Sequence, residues 1–259
     1  IDAETTAQFE QATNRLQEKL VRPMEAIQLR PTLISAETTT ERVAMRLRLA
    51  GDDQLGSHTA RPQAPADSLA SLQVHESALN NALSRLELDG RTFTLPELRQ
   101  HLSAKLNRLD VIDEDHDNDD VQISFAPQNA LYVSLNEGQL GIHLSIAKLS
   151  KAPRVWRDFQ VHAYYKPQLN GRTAELVRDG IIHLAGTRLN TGGQIALRSV
   201  FSKTFSRNSS WTLTPDTLLQ PEALSDLEIT QCAIDDGWLG VALGPKRTAH
   251  GLRNYLLRR

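Results

Sequence analysis

The sequence predicts an α+β fold, an antiparallel β-meander packed on amphipathic helices. Three observations predict it. Between residues 121 and 146 apolar and polar residues alternate at period two in three successive segments. Turn signals such as Asn136-Glu137-Gly138 punctuate those segments. Outside them, apolar residues recur at helical spacing behind recognisable start signals.

Taken in order, Phe9, Leu16, Leu20 and Met24 form the apolar face of a first helix, which Pro23 should end. A strand carrying Ile27, Leu29 and Leu33 leads into a polar turn at residues 37–41. The return strand sets Val43, Met45, Leu47 and Leu49 against Arg42, Arg46 and Arg48, so it has one buried and one wet face. Residues 1–50 are therefore a helix plus hairpin. The glycine- and proline-containing stretch 51–67 reads as a linker, 68–245 as the main α+β module, and 246–259 as a basic tail.

The main module opens with a short strand at Leu72 and Val74. A helix follows through Leu79, Leu83 and Leu86, with Glu76 or Ser77 as its cap. Thr94 and Glu97 then make the capping box of a second helix whose core face is Leu98, Leu102 and Leu106, and Phe93 with Leu98 makes its hydrophobic staple. After the acidic stretch 113–120 come strands at Val121–Phe125, Leu131–Leu135 and Leu140–Ile146. Further strands run through Phe159–Tyr165, Ala174–Leu176 and Ile182–Leu184, with turns at Asn170-Gly171 and Asp179-Gly180, about six in all. A helix over 194–206 presents Leu197, Phe201 and Phe205, and a hairpin over 226–243 turns at Asp235-Asp236-Gly237. The helix-then-hairpin order of residues 3–49 is echoed in 194–243. Ile27-x-Leu29 stands against Leu227-x-Ile229 and Val43-x-Met45-x-Leu47 against Leu239-x-Val241-x-Leu243, as if the first 50 residues closed an upstream repeat; the alternative is two unrelated hairpins.

Composition excludes several functions. A formal charge of -2 and 23% charged residues give no general attraction for nucleic acid or anionic lipid, so no nucleic-acid partner is expected. One cysteine, Cys232, excludes an intrachain disulfide and every multi-cysteine metal site, and no cofactor is expected. His75-Glu76 begins like HExxH, but Leu79 stands where the second histidine belongs. The acidic stretch fails as an EF-hand because Asn118 and Ser124 occupy the glycine and glutamate positions. Thr191-Gly192-Gly193 could aim backbone donors at an anion or simply turn the chain. His143 and His162 fall on the polar parity of their strands and are expected to face solvent. Trp156, Tyr164 and Tyr132 share that parity, where they could stack on sugars or bases or pack across strands. The tail residues Lys246, Arg247, Arg253, Arg258 and Arg259 could contact a membrane surface or simply be solvated.

The order of elements from 69 to 244, with Glu76, Leu79, Asn80 and Asp236-Gly237-Trp238, resembles the TULIP-like (tubular lipid-binding) proteins, specifically small bacterial members. The resemblance implies a strongly curved antiparallel sheet wrapped on a long helix, a lipid or other apolar ligand, and an exported or periplasmic location. The helix at 194–206 departs from that pattern: it is short and carries Arg198 and Lys203. Two functions follow as expectations. One is a non-enzymatic lipid- or apolar-ligand-binding module with a groove made by Leu140, Ile142, Leu144, Val161, Leu197, Phe201 and Phe205. The other is a structural or protein-interaction module whose core those same side chains fill. A hydrolase assembled from distant strands is a third.

Overall fold

The computed structural model describes residues 30–38, 43–51, 54–56, 59–63, 65–66, 68–106, 120–170, 173–186, 189–205, 210–213 and 227–246. The expected first helix with Phe9, Leu16, Leu20 and Met24, strand residues Ile27 and Leu29, the acidic stretch before Asp120, and the tail beyond Lys246 lie outside them.

The described residues form an α+β body built around a curled antiparallel sheet. Its elements in chain order are β1 (Arg30–Thr38), β2 (Val43–Ala50), β3 (Ala70–His75), α1 (Glu76–Ser84), β4 (Thr92–Thr94), α2 (Leu95–Leu106), β5 (Gln122–Phe125) and β6 (Leu131–Asn136). Then follow β7 (Gln139–Lys151), β8 (Arg154–Asn170), β9 (Thr173–Ala185), α3 (Thr191–Thr204), β10 (Trp211–Thr212), β11 (Leu227–Asp235) and β12 (Trp238–Pro245).

The seven-stranded main sheet runs β10-β9-β8-β7-β5-β4, and β6 also pairs with β7. The 13 residues of β7 are long enough to take two partners end to end on one edge, β6 against its first half and β5 against its second. Smaller sheets are β11-β12-β3 and the hairpin β1-β2. Two hairpins have the expected two-residue turns, and both central residues of each have positive φ: Glu137 (54°) with Gly138 (74°), and Asp236 (44°) with Gly237 (82°). That geometry matches the right-handed twist of the flanking strands.

Asp179-Gly180 is not a turn, because β9 is continuous from Thr173 to Ala185 and the last two expected strands are one. His162 pairs with His183 but Tyr164 pairs with Asp179, so β9 carries extra residues there, with Gly180 at φ 72°. A second irregularity lies in the pairing of β5 with β7, where Ser124 pairs with Lys148 but Phe125 with Ile146, so β7 carries one extra residue there; the β7–β8 register stays constant past it, with Asp158 of β8 at φ 51°. It shifts the buried parity of β7 from Ile146 to Leu149. Such irregularities bend strands and add twist, which curls the sheet.

The shift also corrects Trp156. Paired with the fully buried Leu149, it packs against the core rather than on the polar face. β1 runs through Glu37 to Thr38, beyond the expected start of its turn. The helix expected at 194 begins at Thr191, so Gly192 and Gly193 are helical, and Asn190 caps it by accepting the Gly193 N–H at 2.8 Å. The Thr94–Glu97 capping box is present in both directions.

One core joins Phe93, Phe125, Leu135, Ile146, Leu149, Phe159, Tyr165 and Ile234 with the α3 residues. Each such large side chain contributes about 1.5–3 kcal/mol by its removal from water.

Candidate functional site

An edge strand leaves every second N–H and C=O without a ladder partner. In β6 these groups belong to Leu131, Val133 and Leu135, and those of Val133 and Leu135 are met by side chains and one backbone N–H. The Asn80 amide donates from Nδ2 to the Val133 carbonyl at 2.9 Å and accepts the Val133 N–H at Oδ1 at 2.8 Å. Glu76 Oε2 accepts the Leu135 N–H at 2.7 Å, and the Gly237 N–H donates to the Leu135 carbonyl at 2.9 Å. Asp89 Oδ1 accepts the Ala130 N–H just before the strand. Asn80 thus stands in for a peptide group of a missing strand, and α1 is pinned along β6. Glu76, Asn80 and Gly237, three of the positions that carried the family resemblance, meet at this edge.

His75 caps α1, not Glu76 or Ser77: its Nδ1 accepts the Ser77 N–H at 3.0 Å. Its ring meets Trp238 edge-on at 4.9 Å. Burial pushes its pKa below the ordinary histidine value, against the raising effect of Glu76 and Asp236. A Cβ on Gly237 would stand 2.6 Å from His75 Nε2, so glycine is required there both for its φ of 82° and for space.

The seven residues expected to line a groove come together, in or against the single core cluster. Leu197 is 0% exposed, Val161 1%, Phe201 4%, Leu140 5%, Phe205 7% and Ile142 8%, while Leu144 is half-buried against them.

The opposite sheet face carries an aromatic row that the sequence reading did not assemble. Tyr132, His143, His162 and His183 are successive cross-strand partners on β6, β7, β8 and β9. Tyr132 stacks flat on His143 at 4.4 Å, and Tyr164 meets His143 and His183 edge-on. His143 is not solvent-facing as its parity suggested: it is 9% exposed under this cover. Its Nε2 lies 2.8 Å from Ser134 Oγ, and its Nδ1 2.7 Å from His162 Nδ1. Gly141 makes room for this, since a Cβ there would be 2.7 Å from both His143 Nε2 and Ser134 Oγ.

Serine, histidine and a second histidine in series have the connectivity of nucleophile, base and orienting group. The electrostatics oppose that use. Burial, with the neighbouring His162, lowers the His143 pKa to about 4, far from the near-neutral value that suits a general base. Burial and the nearby His183 lower His162 as well. As it stands the series is a hydrogen-bonded ladder that holds β6, β7 and β8 in register.

At the start of β6 a cleft of about 530 Å³ opens between the end of α1 and this face, with Gln128, Asn129, Tyr132, Ser145 and Gln160 on its walls. Its other polar groups are committed: Asn80 to Val133, Asp89 to Ala130, and Ser84 to Asn81. Among the described residues no three His, Cys, Asp or Glu side chains are placed to hold a metal ion. The Cys232 thiol, half-buried in β11, is pushed up to about 11 by burial, which makes it a poor nucleophile. No helix among the described residues is long and apolar enough to cross a membrane. No protein-family description and no curated protein sequence matches this chain.

Proposed function

We propose that the chain is a non-enzymatic structural or protein-interaction module whose curled sheet is filled by its own side chains. The observation that carries this reading is the exposure of the groove set, six of whose seven members are no more than 8% exposed. A side chain lining an open ligand cavity keeps surface that a water-sized probe can reach, and these keep almost none. The weakly basic His143 supports a non-catalytic reading of Ser134, and exposed Leu33, Ile34, Leu47, Leu69 and Leu72 offer apolar surface to a partner.

A second reading, a TULIP-like lipid- or apolar-ligand-binding module, is favoured by the curled half-barrel with few helices, which is compatible with that fold. Contact of the basic tail with a membrane surface belongs to this reading. Organic extraction of the purified protein followed by mass spectrometry, with a fluorescent fatty-acid titration alongside, separates the two. An empty extract without saturable binding is expected, and a stoichiometric co-purified lipid overturns the filled-core reading. Labelling of Ser134 by a fluorophosphonate overturns the non-enzymatic one.

A further inference from the structure

The hairpins β1-β2 and β11-β12 share more than an order of elements. Set Leu47 of β2 against Leu243 of β12, as the alternation Val43-x-Met45-x-Leu47 and Leu239-x-Val241-x-Leu243 directs. Leu47 pairs with Leu33, after which the register shifts past Ile34 to Ser35 opposite Arg46. Leu243 pairs with Ile229, after which the register shifts past Thr230 to Gln231 opposite Ala242. Both hairpins therefore carry the same one-residue bulge at the same place. A bulge re-aims a strand at a defined position and is a designed feature rather than a defect.

The surroundings of the two bulges differ. The register makes Leu33, not Leu29, the counterpart of Ile229. Ile229 is 5% exposed and Leu243 half-buried, whereas their counterparts Leu33 and Leu47 are each 55% exposed. β12 pairs with β11 on one edge and with β3 on the other, while β2, among the described strands, pairs with β1 alone. The chain leaving β2 is already committed forward. Gln54 Nε2 donates to the Asn81 carbonyl and to Ser84 Oγ, and Asn81 Nδ2 donates to the Leu49 and Leu55 carbonyls, so this junction abuts α1.

From this we propose that β1-β2 is the closing hairpin of a further copy of the module, N-terminal in the same polypeptide, whose opening strand pairs with the outer edge of β2 as β3 pairs with β12. The proposal rests on the reading of the chain as an assembling module. It supplies that module's partner: another unit of the same fold, covering Leu33 and Leu47 as Ile229 and Leu243 are covered here. It also accounts for an apolar surface beside a strand edge that has no second strand among the described residues, a combination that invites aggregation if left open.

The test compares the natural polypeptide, purified from its own source, with residues 1–259 by hydrogen–deuterium exchange, and places Leu33→Lys with Leu47→Lys in both. The β2 amides are expected to exchange at least tenfold more slowly in the natural polypeptide, and the double substitution to lower its melting temperature by several degrees while moving that of residues 1–259 by less than one. Equal exchange in the two, a natural polypeptide with no folded unit ahead of β1, or β2 protection that appears in residues 1–259 alone as concentration rises would each overturn it; the last would assign the edge to a second copy of this chain. The extraction experiment reads the core, so its failure and this one are distinguishable.

Discussion

Replacing His143 by phenylalanine should remove a defined part of the protein's acid sensitivity. The imidazole is 9% exposed, and burial together with His162 holds its pKa at about 4 in the folded state, against about 6.5 in an unfolded chain. As pH falls through 6.5 the unfolded state takes up a proton that the folded state refuses until about pH 4. Acid therefore favours unfolding: the contribution is intact above pH 6.5 and is lost progressively as pH drops toward 4. Integrating that linkage between pH 7.5 and pH 5 gives about 2 kcal/mol, worth roughly 4–8 °C in melting temperature for a chain of this size. The variant also loses the hydrogen bonds to Ser134 and His162. That loss is an offset common to both pH values and cancels in the difference. Urea denaturation of both proteins at pH 7.5, 6.5, 5.5 and 5.0 measures it. The wild type should lose about 2 kcal/mol more than the variant over that interval, the shifts of His162 and His75 remaining in both. Parallel pH profiles, or a His143 ring that titrates near its ordinary value by NMR, would refute the reasoning.

Other substitutions separate backbone from side-chain effects. Asn80→Leu leaves the Val133 N–H and C=O without partners and should cost about 2–4 kcal/mol in urea unfolding, with faster exchange of the Val133 amide but not of core amides on β8. Gly138→Ala and Gly237→Ala both force alanine to positive φ, but a new Cβ meets nothing within 4 Å at Gly138 and meets His75 Nε2 at 2.6 Å at Gly237. The first should cost about 1 kcal/mol. The second should cost measurably more, and the excess should vanish in a His75→Ala background. The Cys232 thiol, raised to about 11 from its ordinary value of 9.0, should react with iodoacetamide at pH 8 about a hundredfold more slowly in the folded protein than in urea.

The elements that follow from local chemistry were legible in the sequence: the Thr94–Glu97 box, the turns at Glu137-Gly138 and Asp236-Gly237, and the alternation of β6 and β7. The histidine row was legible in part. A two-residue turn at Glu137-Gly138 fixes Tyr132 opposite His143, and the turn at Ala152-Pro153 fixes His143 opposite His162. Counting from each turn would have found both pairs. The third step, His162 to His183, depends on the extra residues beside Gly180, and Asp179-Gly180 looks in sequence like the hairpin turn it is not. Parity misplaces Trp156 for a similar reason: at the irregularity of β7 the buried parity passes from Ile146 to Leu149, and on β8 the residues before Asp158, Trp156 among them, take the opposite face from the parity set by Phe159 and Val161. For His143, polar parity identifies a face but not burial, which comes from the rings of Tyr132, His162 and Tyr164 packed around it.

Strand edges tie these observations to the proposal. β6 is closed on its outer side by Asn80, Glu76 and Gly237, none of which sequence periodicity could mark, because each acts by hydrogen bonding across a long sequence separation. β12 is closed by β3, and the linker bonds across that small sheet through Thr59 to Trp238 and through Pro62 to Gln73. An asparagine, a glutamate and a hairpin turn close one six-residue edge, whereas the edge of β2 from Val43 to Leu47, beside exposed Leu33 and Leu47, pairs with no second strand among the described residues. The bulge shared with β11-β12 indicates what closes such a hairpin, because in the one place where its partner is present that partner is the opening strand of the module itself.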